Sequence, residues 1–214
     1  MGSTFGNLNI LAIPGLTPDV LRGKVVGMAA LFGYRQTEKK DSSGFSILLF
    51  YNKLKKWITI YDERLDEIGS DELINFTGTY SKWLNVSAIS SIVFDSDDIV
   101  MCLYENGNTD IYVSNTEQSY FDYLKTESEC IQGCSEKWVK LLNTTATEAD
   151  LLALWSNLDY VFAEEKLIEI GKLFGFDERL SSCGYHYYED VSIDLDLSGY
   201  EVISIHFRKT NIGR

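Results

Sequence analysis

Residues 91–114 read SIVFDSDDIVMCLYENGNTDIYVS. Three short runs rich in β-branched and aromatic residues stand out: Ser91 to Phe94, Ile99 to Tyr104 and Thr109 to Ser114. Turn formers bound each of them, which is the pattern of strands. Asn106-Gly107, between the last two, is the strongest hairpin signal in the chain, because both residues tolerate positive φ. Between the first two stands Asp95-Ser96-Asp97-Asp98, which suggests either a cation clasp or a turn. A calcium loop of the EF-hand type needs a glycine midway and a closing glutamate, and here Ile99 and Val100 follow instead. Asp and Ser side chains bond readily to nearby backbone amides. The acidic knot is therefore expected to be a β-turn whose carboxylates form a contact rim.

Upstream, Phe45 to Tyr51 and Trp57 to Tyr61 form a second strand pair across the lysine-rich turn Asn52 to Lys56. Asp62 to Gly69 reads as an acidic loop. Ser70 then opens a helix to about Leu84, with Leu73, Phe76, Tyr80, Trp83 and Leu84 on one face. Residues 1–16 read as a flexible start with a loop at Pro14-Gly15. Thr17-Pro18 caps a short helix to about Leu21. Lys24 to Tyr34 reads as a buried strand, given Val25-Val26 and its inner glycines, and Arg35 to Gly44 as a loop.

After Tyr123 the pattern turns helical. Ser135 caps a helix through Leu142. Thr147-x-x-Asp150 is a capping-box variant opening another helix. Tyr160 to Phe174 is amphipathic, with Val161, Leu167, Ile170, Leu173 and Phe174 inward and Gly175 as C-cap. The tail reads as strands at Tyr185 to Tyr188, Ser192 to Leu195 and Glu201 to Arg208, the last two joined as a hairpin over Asp196 to Gly199. The expected fold is α+β: an antiparallel sheet with helices on one face and a helical second half. One domain spans 1–214, with a subdivision near 125 into a sheet-rich part (17–125) and a helix-rich part (126–214).

Of the 214 residues, 45% are hydrophobic and 13% aromatic, which describes a packed globular chain able to bury a core unaided. Its 32 acidic and 19 basic residues leave a net charge of −13. Nucleic-acid affinity comes largely from neutralising phosphates, and anionic membranes repel acid, so neither is an expected partner. A basic protein is. The N-terminus lacks a basic segment followed by a long apolar core, and no run approaches the length of a membrane span. The expected compartment is the cytoplasm, with thiols reduced.

Few chemistries find support. His186 and His206 are the only histidines, and no G-x-S-x-G elbow accompanies them. No phosphate-binding glycine motif is present. Cys130-x3-Cys134 lacks a second pair to complete a zinc site, and Cys102 reads as a small core residue. Glu164-Glu165 fits the solvated face of its helix. No cofactor, metal or catalytic residue is expected.

Trp57-Ile-Thr-Ile-Tyr-Asp-Glu, Phe94-Asp-Ser-Asp-Asp, Leu103-Tyr-Glu-Asn-Gly, Asp110-Ile-Tyr-Val-Ser and Phe162-Ala-Glu-Glu together resemble a family of uncharacterised bacterial proteins over residues 45–188. The resemblance implies a bacterial-type soluble domain and no catalytic residue. The expected function is a non-enzymatic acidic binding protein, of the immunity type that neutralises a basic toxin domain. Asp62, Glu63, Asp95, Asp97 and Asp98 are its expected contact residues. A carboxylate-dependent hydrolase or small-ligand enzyme, and a scaffold subunit, are the alternatives. The oligomeric state is left open.

Overall fold

The computed structural model describes residues 4–67, 70–114, 133–190 and 195–210. Their centre is a strand, β1 (Phe5–Leu11), in the segment expected to be a flexible start. It pairs antiparallel with β4 (Trp57–Asp62) on one side and β5 (Ala88–Phe94) on the other. The helix α1 (Pro18–Leu31) follows, opened by Thr17 with Pro18 at its first position, as expected, but running ten residues beyond Leu21. It occupies the stretch expected to be a strand. Leu21, Val25, Met28 and Ala29 recur at helical spacing and are all buried, and that stripe outweighs the local β preference of Val25-Val26.

The remaining strands are β2 (Tyr34–Thr37), β3 (Gly44–Tyr51), β6 (Asp98–Glu105), β7 (Asn108–Val113) and β8 (Glu201–Lys209). The eight stand in the order β2-β8-β3-β4-β1-β5-β6-β7, every neighbouring pair antiparallel. With α2 (Ser70–Leu84), the elements β1-α1-β3-β4-α2-β5 form a split β-α-β unit whose strands lie as β3-β4-β1-β5. Hairpins extend it through β6 and β7. On the far side β8 lies between β2 and β3, so both halves of the chain share one sheet. Arg35–Thr37 was expected to be loop, and β8 was expected to pair with the segment 192–195. Its neighbours are instead β2 and β3, while residues 191–194 lie outside the described residues.

The fold is α+β, as expected, but helices cover both faces and not one. On the first face, α1 and α2 pack over Leu8, Ile10, Ile47, Leu49, Ile60, Ile92 and Ile205. On the second lie α3 (Ser135–Trp138), α4 (Glu148–Ser156) and α5 (Ala163–Phe174), over Ile89, Val93, Ile99, Met101, Leu103 and Tyr112. Beside them α6 (Glu178–Ser181) and α7 (Tyr185–Asp190) cover Leu48, Phe50 and Tyr61. Tyr185–Tyr188, expected to be a strand, is thus the start of a helix. Thr147 and Asp150 form the capping box, and Gly175 ends α5 with φ 80°. Val161 is 75% exposed, not inward, because α5 begins only at Ala163. Cys130 lies outside the described residues.

Hydrogen bonds dock the second-face helices by their ends, where backbone groups lack intrahelical partners. Trp57 Nε1 donates to the Phe174 carbonyl at 2.8 Å, Tyr61 Oη to Leu180 at 2.7 Å and Asn7 Nδ2 to Ser181 at 2.8 Å. Asp177 opens α6. Its carboxylate accepts the Arg179 N–H, the Arg179 guanidinium and the Tyr200 hydroxyl at 2.8–3.1 Å. The Arg179 hydrogen bonds outweigh burial and hold this carboxyl well below the usual range. A folded pKa below the unfolded one contributes stability that is present above about pH 4 and lost as pH falls. Asp177→Asn is expected to lower stability at pH 7 and to flatten its decline between about pH 5 and 2, read from urea midpoints. An unchanged acid slope would contradict this role.

Candidate functional site

The two acidic segments lie at the same end of the sheet. Asp62 closes β4 and Asp95–Asp98 joins β5 to β6, with β1 between them. Strands lie ~4.8 Å apart, so the segments flank the start of β1 at about 10 Å.

The knot is a turn. Asp95 and Ser96 take positive φ (48° and 61°), and Asp97 N–H bonds the Phe94 carbonyl at 2.9 Å. Asp95 N–H reaches Thr4 Oγ1 at 3.1 Å. The Ser96 carbonyl accepts Ala163 N–H at 2.8 Å, and its hydroxyl donates to Glu164 at 2.6 Å, which fixes the turn against the N-terminus of α5. Asp95 and Asp97 are exposed, whereas Asp98 is buried in the ladder opposite Phe94.

Asp62 requires a correction. It is fully buried and cannot be a contact residue. Arg64 grips it with Nε at 2.9 Å and Nη2 at 2.6 Å, and the buried Tyr80 hydroxyl donates to it at 2.6 Å. The Arg64 guanidinium stacks 3.8 Å from the centre of the Phe45 ring, at the floor of a groove between α1 and α2. Burial pulls its pKa down, but Asp62 outweighs that and raises it.

Glu63 is half-buried and already engaged, accepting Ser46 N–H at 2.8 Å and Lys40 Nζ at 2.9 Å. It joins a network that sequence order conceals. Lys40 bridges to Glu189 at 3.2 Å, and the Tyr185 hydroxyl donates to Glu189 at 2.7 Å. Ser46 Oγ pairs with His206 Nδ1 at 2.8 Å, and Ser204 Oγ lies 3.3 Å from His206 Nε2. Asp66 bonds Gly6 N–H, His186 N–H and the His186 ring at 2.9–3.1 Å. Both histidines thus stand in one polar cluster linking β1, β3, β8, α7 and the 3-10 turn Glu63–Asp66. Burial raises Asp66 above the usual carboxylate range and pushes Tyr185 up to about 12. Burial also acts against charge on Lys40 and Glu189, but their hydrogen bonds outweigh it, raising the lysine and lowering the glutamate. The strand alternation placing His206 beside Ser204 and Arg208 was readable; its pairing with Ser46 was not.

The Ser46 hydroxyl nearest His206 belongs to a fully buried residue, so it is not presented to a substrate. Among the described residues no three His, Cys, Asp or Glu side chains are grouped to hold a metal ion, and no helix is long and apolar enough to cross a membrane. The chain matches no family model, no curated protein and no solved structure.

The buried pair separates structural acids from surface ones. Arg64→Met strands the Asp62 charge and is expected to cost about 3–5 kcal/mol by urea unfolding. The double variant Asp62→Leu/Arg64→Met is expected to recover much of that loss. A double variant as unstable as the sum of the two single variants would show that the pair is not coupled.

Proposed function

We propose that the protein is a non-enzymatic binding protein of the immunity type, whose acidic sheet end meets a basic protein partner in the cytoplasm. The observation that carries this reading is the rigid hairpin tip presenting Asp95 and Asp97 to solvent, in a chain of net charge −13. Four hydrogen bonds hold the turn from β5, residue 4 and α5, so its carboxylates sit in a fixed frame. Fixed, exposed charges attract an oppositely charged partner over a Debye length and raise its association rate. Across β1, Asp62 and Glu63 are held in pairs of their own with Arg64 and Lys40. The free thiols of Cys102, Cys134 and Cys183 are compatible with a reducing compartment.

The test is co-expression with the product of the adjacent gene, followed by association kinetics on the purified pair. A stable complex is expected, with an on-rate that falls with added salt. Asp95→Asn/Asp97→Asn is expected to slow association several-fold while changing unfolding by less than about 0.5 kcal/mol. A neighbour without a basic domain, no complex, or kinetics indifferent to both substitutions would refute the proposal.

A further inference from the structure

Among the described residues, the apolar helical cover on the second face stops at β3. The apolar cluster under α6 and α7 takes Leu48 and Phe50 from β3 and Tyr61 from β4, with no residue of β8 or β2. Beyond it Val202 is 40% exposed, and Ser204 and Arg35 are open to solvent. On this bare strip the register sets Arg35 of β2 directly opposite Arg208 of β8. Directly opposed residues share a face, and like charges there repel.

Among the described residues little relieves that repulsion. Lys40, Arg64, Lys137, Lys172 and Arg179 each have a carboxylate oxygen within 3.2 Å. The nearest for Arg208 is Asp41 at 4.0 Å, and Asp41 Oδ1 already accepts the Ser43 N–H and hydroxyl at 2.9 and 2.7 Å. Arg35 has no ion pair among the described residues. The two arginines, with Asp41, Ser43, Lys209 and Thr210, line a depression of about 270 Å³.

We propose that this depression binds a compact dianion, a phosphate or a small phosphomonoester, between the Arg35 and Arg208 guanidinium groups. Guanidinium forks match phosphoryl oxygens in pairs, and both are mounted on paired strands. A dianion between them turns the cross-strand repulsion into two attractions. Ser43 and Lys209 belong to the same lining, and the long contact to Asp41 is the one an incoming phosphoryl group displaces. The volume suits a phosphoryl group with a few further atoms. This goes beyond a basic protein partner, since the ligand is an anion and the residues are different.

The experiment is calorimetric titration of the whole chain with inorganic phosphate, and separately with glycerol phosphate, at constant ionic strength against chloride. One saturable site is expected. Arg35→Gln and Arg208→Gln should each weaken it about tenfold, with the phosphate-free melting temperature unchanged or raised. In the unaltered protein, phosphate should shift the side-chain Nε–H resonances of Arg35 and Arg208 and leave Arg64 and Arg179 in place, a readout independent of variant folding. Tighter binding of the ester assigns the site to a phosphomonoester, and tighter binding of phosphate assigns it to the free ion. A response no larger than that to chloride, unchanged affinity in the double variant, or shifts confined to other arginines would overturn the proposal.

Discussion

Asn7 and Asn9 lie on the second face of the central strand, each 1% exposed, between the sheet and the C-terminal helices. A buried amide left without partners costs about 1–3 kcal/mol, so such residues persist where every bond is made. Here Thr59 Oγ1 donates to Asn9 Oδ1 at 2.8 Å, and Asn9 Nδ2 to Asn7 Oδ1 at 3.2 Å. Asn7 Nδ2 completes the chain on the carbonyls of Ser181 and Cys183 at 2.8 and 3.3 Å. One line of hydrogen bonds thus runs from β4 through β1 into the end of α6. It sets the position of the second helical layer on the sheet.

The acidic end depends on the same strand. Gly6 N–H bonds Asp66, and a side chain at position 6 would meet Leu65 at 2.6 Å, so only glycine lets the 3-10 turn close over β1. That turn carries Arg64 onto Asp62 and Glu63 toward Lys40 and Ser46. On the other side Phe5 pairs with Val93, which brings the Asp95 turn alongside. Acids that are dispersed in sequence come to one place because β1 stands between them. The strand also sorts them: Asp62 pairs with Arg64 and Glu63 with Lys40 on one side, and Asp95 and Asp97 are exposed on the other.

How much of this was legible depended on whether the signal was local. The Asn106-Gly107 hairpin, the Thr147–Asp150 capping box and the Gly175 C-cap are local, and the structure contains each. So is the strand pair across Asn52 to Lys56. The strand β1 was hidden because Gly6, Asn7 and Asn9 are turn formers by composition, and their strand role exists only through partners some 50 and 174 residues away. Two-sided burial did leave a trace. Ile99 to Tyr104 is apolar at every position, as in strands covered on both faces, whereas one-sided cover produces alternation. The burial of the acids was half legible: Asp95 and Asp97 are exposed, as a turn between strands implies, but no sequence pattern distinguishes Asp62, which is fully buried against Arg64, two residues away. The two histidines showed no connection in sequence, since positions 186 and 206 are joined through residues distant in the chain, among them Ser46, Glu63 and Asp66.

The claim on which the account rests is that the N-terminal segment is the centre of the fold and not an appendage. Native-state hydrogen exchange of residues 5–11 tests it most directly. The account predicts that the amides of Leu8, Asn9 and Ile10, paired on both sides, exchange only through global unfolding and rank among the slowest in the protein. Exchange at the rate of open loops, with the rest of the sheet still protected, would contradict it.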